Sequence, residues 1–122
     1  MAYINAEKVK AIRTEIKKAF PKWKISVRKE HNSTVIVSIL SADIDFIREY
    51  KGPNVPKGDI QVNHYYIDHA FSGAALESLE KIKEIANAGN HDRSDTQSDY
   101  FDVGWYFSLN IGEWNKPFVL IS

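Results

Sequence analysis

Cysteine is absent from this chain, and methionine occurs only once. Without cysteine there is neither a disulfide scaffold nor a thiolate metal cage, and the composition fits a reducing compartment. Long apolar runs are missing too. Nothing approaches the ~18–20 apolar residues of a membrane span, and the opening MAYINAEKVKAIRTEIKK has no apolar core of signal-peptide type. Internal repeats, low-complexity tracts and flexible linkers are also lacking. Net charge is zero, with 16 basic and 16 acidic residues. That balance disfavours a nucleic-acid binder, whose affinity rests on excess cations. A soluble protein of the cytoplasm, without a membrane partner, is the expectation.

What is present suits one compact domain spanning residues 1–122, with 43% apolar residues to build a core. The charge is unevenly spread. Residues 1–30 carry nine Lys/Arg against three Asp/Glu, a balance of +6; the remaining residues carry seven against thirteen, a balance of −6. A solvated amphipathic helix followed by an acidic surface explains this, and so does a basic face that meets phosphates or an acidic partner.

Asn5 is placed to cap a helix in which Val9, Ile12, Ile16, Ala19 and Phe20 recur at helical spacing, until Pro21 stops it. Trp23, Ile25 and Val27 alternate with polar residues as in a half-buried strand. His31-Asn32-Ser33 reads as a turn, and Thr34 to Leu40 as the returning strand of a hairpin. Ser41 to Tyr50 reads as a short helix capped by Ser41. Lys51 to Gly58 reads as a loop, and Ile60 to Ile67 as a third strand. Ser72 is placed to cap a second long helix with the inward stripe Ala75, Leu79, Ile82 and Ala86, ending at Gly89. Val103, Trp105, Phe107, Leu109 and Ile111 form a strict period-two row, and Phe118 to Ile121 reads as an edge strand. The expected fold is α+β: a two-layer domain with an antiparallel or mixed sheet of about five strands and two main helices.

The polar loop Asn90, His91, Asp92, Arg93, Ser94 and Asp95 runs into aromatics at Tyr100, Phe101 and Tyr106. Its spacing matches neither an EF-hand nor a zinc motif, so no metal is assigned. No GxSxG, Walker loop, GxGxxG or HExxH is present, so no catalytic residue, cofactor or enzymatic activity is assigned. A ligand site fits these residues better. Arg93 offers a planar fork to a phosphate, Asn90 and Asp92 offer groups for base or ribose edges, and the three aromatics offer faces for a purine. The loop follows a helix C-terminus, whose dipole disfavours an anion. Further cations are therefore expected, from Arg28 or from a second subunit. His64, Tyr65, Tyr66 and His69 form a second aromatic group, half of it facing inward if the strand continues through it.

The segments QVNHYYID (61–68) and EIANAGNHDRSDTQSDYFDVGWYFSLNIGEWNKPF (84–118), with AFPKWKISVRKE and VIVSI before them, resemble the large polyvalent protein-associated domain, type twenty-nine, of phages and mobile elements. A free-standing copy of this size is also similar to phage Thoeris anti-defence proteins. That likeness implies a sponge that captures, without cleaving, a cyclic ADP-ribose-type signal made by a TIR enzyme in the infected bacterial host. It implies no cofactor, and a homo-oligomer agrees with the need for added cations. The alternative is a protein-interaction module of a mobile element that inhibits or recruits a host protein. The site residues above rest on residue chemistry and not on these likenesses.

Overall fold

The computed structural model describes residues 3–52, 58–88, 104–113 and 115–121. The first helix, α1 (Ala6–Ala19), starts where Asn5 accepts a hydrogen bond from the Lys8 amide at 2.8 Å. Its buried stripe is Val9, Ile12 and Ile16, while Ala19 is exposed. After Pro21 the chain enters β1 (Lys24–Glu30), turns through His31 and Asn32, and returns as β2 (Thr34–Ala42). Both turn residues sit at positive φ, 55° and 57°, the backbone that a tight hairpin needs and that asparagine tolerates best after glycine.

Three expectations are corrected in the middle of the chain. The sheet strand β2 takes in Ser41, so Ser41 caps nothing. The following helix α2 is only Phe46–Glu49, capped by Asp45 through the Arg48 amide at 3.1 Å. The third strand, β3, is Ile60–Val62 and does not reach Ile67. Asn63 ends it: its side chain accepts from the Tyr65 amide and its carbonyl from the Tyr66 amide, at 3.1 and 3.0 Å. Such an Asx turn competes with the strand ladder. A helical turn, α3 (Ile67–Ala70), follows.

Helix α4 (Gly73–Ala86) buries the expected stripe Ala75, Leu79, Ile82 and Ala86. Ser72 stands at its N-cap position but makes no side-chain cap bond, and the C-cap is Asn87. Gly89 and Val103 lie outside the described residues. Strand β4 (Tyr106–Ile111) buries Phe107, Leu109 and Ile111, and β5 (Val119–Leu120) completes the set.

The sheet is mixed, in the order β1-β2-β4-β3, with β5 beside the end of β2. Strands β1 and β2 are antiparallel, β2 and β4 parallel, and β3 and β4 antiparallel. This is the α+β two-layer domain with two main helices. The helical stripes join Val27, Val35, Val37, Ile39, Leu109 and Ile111 in one core. Ile36, Ser38 and Leu40 alternate with those residues and point to the opposite face of the sheet. Phe46 links the ends of the core, meeting Trp23, Phe71 and Phe118 edge-on with ring centroids 5.6–5.9 Å apart.

Gly112 turns the chain between β4 and the last segment at φ 69°. A Cβ there would run into the Gly58 carbonyl and the Phe118 amide, which are hydrogen-bonded to each other at 2.8 Å. Gly112→Ala is therefore expected to destabilise the fold by roughly 1–3 kcal/mol through left-handed strain alone. Urea unfolding followed by circular dichroism measures it; an unchanged midpoint would show that the turn has been misread.

Candidate functional site

Strand register decides which polar side chains share the face away from the helices. Arg28, Ile36 and Ser108 lie in one row across β1, β2 and β4. The next row toward one end holds Ser26, Ser38, Asn110 and Gln61. The next toward the other end holds Glu30, Thr34 and Tyr106. Arg28 and Tyr106 were both expected at a site and do share this face, two strands and one row apart, roughly 12 Å. Tyr106 is 54% exposed. Asn90, His91, Asp92, Arg93, Ser94, Asp95, Tyr100 and Phe101 lie outside the described residues.

Glu113 is the partner that sequence reasoning missed. Its carboxylate accepts from the Arg28 guanidinium at 2.7 Å, joining β1 to the segment after β4 and so reaching across β2. The arginine side chain is half exposed and the glutamate mostly buried. On β2, in the outward row between buried Ile36 and Leu40, Ser38 is fully buried, and among the described residues its hydroxyl has no hydrogen-bond partner, a polar group that calls for an explanation. The legible signal was the pattern Ser108-Asn110 on the outward side of the β4 row.

A hollow of about 230 Å³ opens beside this pair, lined by Arg28, Asp59, Gln61, Asn110 and Glu113 among others. A second, of about 460 Å³, is lined by Gln61, Asn63, His64, Tyr65, Phe107 and Ser108. Gln61 on the edge strand β3 belongs to both. Since β3 ends at Val62, the period-two rule does not govern His64, Tyr65, Tyr66 and His69. Tyr65 and Tyr66 are exposed, as is His69, while His64 is half-buried. The His64 ring lies 4.2 Å from Tyr65 and meets Phe107 edge-on at 5.1 Å. Lys83 reaches in from α4, donating to the His64 carbonyl at 2.7 Å and approaching the Tyr65 ring at 5.8 Å. Among the described residues the buried His64 Nδ1 has no partner. Burial first, and the Lys83 charge second, lower the His64 pKa below its ordinary 6.5. Among the described residues no group of three or more His, Asp or Glu is placed to hold a metal ion, and no helix is long and apolar enough to cross a membrane.

The family described as Large polyvalent protein associated domain 29 matches residues 3–87. The chain belongs to that family. The matched span carries AFPKWKISVRKE, VIVSI and QVNHYYID and runs through α4; most of the segment 84–118, read for the same resemblance, lies beyond it. Comparison with curated proteins and with solved structures gave no match.

A depressed imidazole pKa means that the unfolded chain binds more protons than the folded one as pH drops from 6.5 toward the folded value. His64 therefore costs stability over that window, and the cost grows as pH falls. An NMR titration is expected to place the His64 midpoint below 6.5, with Lys83→Met moving it upward. A midpoint at or above 6.5 would contradict the burial described.

Proposed function

We propose that this protein is a phage-encoded anti-defence protein that binds a cyclic ADP-ribose-type nucleotide on the polar face of its sheet and sequesters it uncleaved. The observation that carries the reading is the pair of adjoining hollows sharing Gln61, of about 230 and 460 Å³. Together they fall within the ~300–1,000 Å³ of small-molecule sites. Arg28 supplies a planar fork for a phosphate, and the amides of Gln61 and Asn110 supply paired donors and acceptors for base or ribose edges. Tyr65, 75% exposed just past the end of β3, offers aromatic surface to a purine at the edge of the sheet.

The charges set a condition. Glu113 already neutralises Arg28, and Asp59 lies in the same hollow. An incoming phosphate must take over the guanidinium and leave Glu113 to water or a neighbour. A diphosphate carries more charge than one arginine offsets, so a further cation is needed, which a second copy of the chain would supply. Sequestration needs affinity and no chemistry. Nanomolar binding corresponds to about −12 kcal/mol, which a small ligand reaches by near-complete enclosure; both hollows are open to solvent, so a second copy of the chain would have to close over them.

Calorimetry against cyclic ADP-ribose isomers tests the reading, followed by heat release and chromatography of the ligand. Tight binding with intact ligand recovered is expected. Arg28→Ala should weaken binding about 10- to 100-fold, the worth of a charge-assisted phosphate contact, while Glu113→Gln should tighten it. Absence of binding at micromolar ligand, or recovery of a cleaved product, would remove the proposal.

A further inference from the structure

A second groove lies away from the polar face, between α1 and β1. Its volume is about 270 Å³. Phe20, Trp23 and Ile25 form an apolar floor, all three only half-buried, and Arg13, Lys17 and Lys24 stand around it. Among the described residues, no acidic one lines it. Among the described residues, none of these three cations has a carboxylate within ion-pair distance; Arg13 is held in place by donating to the Val27 carbonyl at 2.6 Å. Three of the nine Lys/Arg of residues 1–30 are thus gathered beside partly exposed apolar surface.

We infer that this groove docks an acidic segment of a partner protein, with one apolar side chain in the floor and carboxylates against the three cations. Charge complementarity selects the acidic occupant. The aromatic geometry selects a peptide over a nucleic acid. Phe20 and Trp23 are stacked on each other at 4.4 Å, and Trp23 meets Phe46 edge-on at 5.6 Å. Its indole N–H donates to Asp43 at 2.8 Å. Ring faces occupied in this way leave little platform for splayed bases, which is what single-strand binding requires. A groove of this volume takes one or two aliphatic side chains, the usual anchor of a peptide interface.

The test is fluorescence anisotropy of a labelled synthetic peptide in which a single leucine is flanked on both sides by aspartates and glutamates. Saturable binding that weakens as salt rises is expected. Lys17→Glu with Lys24→Glu, both exposed positions, should lower affinity about tenfold or more, and Ile25→Thr should lower it with no change of charge. Cyclic ADP-ribose binding by these variants should be unaffected, which separates this site from the polar face. No peptide binding, equal binding by a leucine-free acidic peptide, or a preference for oligothymidylate over the peptide would each overturn the assignment.

Discussion

The fold depends on burying β2. It alone contacts three other strands, with β1 antiparallel on one side and β4 and then β5 parallel on the other. Six consecutive residues, Val35 to Leu40, are buried. A strand covered on both faces reads as a continuous apolar run, and here Ser38 interrupts it. Parallel pairing of β2 with β4 also needs a long crossover, which the chain makes through α2, β3, α3 and α4. The crossover thereby delivers α4 to the face on which α1 already packs, and the two helices build the core with Val35, Val37 and Ile39.

The polar face is the consequence. With both main helices on one side, the outward side chains of β1, β4 and β3 are free to carry Arg28, Ser108, Asn110 and Gln61. The Arg28–Glu113 pair is half exposed on one partner and contributes roughly 0–1 kcal/mol. Its consequence is positional: it holds the guanidinium over β2 beside the smaller hollow. Gly112 makes that placement possible, because only its positive φ lets Glu113 follow Ile111 so closely while Phe118 reaches Gly58.

Much of this was readable from residue order. The stripes of α1 and α4, the hairpin at His31-Asn32 and the alternating row of β4 are local signals, repeated over enough residues to outweigh noise. The errors are also local, and each came from a small polar residue. Asn63 closes an Asx turn where β-branched and aromatic neighbours argued for more strand. Asp45 caps α2 where Ser41, drawn into β2 by its pairing with Val119 in β5, could not. Of the residues lining the candidate hollows, only Arg28 was legible as a site residue, and Tyr106 is not among those that line them. Arg28 was singled out for its charge and Tyr106 for its ring, and register places both on one face. Glu113 lies 85 residues from Arg28, and the hollows arise only when β3 is laid beside β4. No periodicity within a segment reports such a contact.

The central claim is that the nucleotide lies along β3, between Arg28 and His64. It is tested most directly by NMR of the side-chain amides of Gln61 and Asn110 as a cyclic ADP-ribose isomer is added. Saturable shifts of both amides together with the His64 ring are expected, and Arg28→Ala, binding about 10- to 100-fold more weakly, should show them in faster exchange. Unmoved amides with shifts confined to other surfaces, or no shift at all, would contradict it.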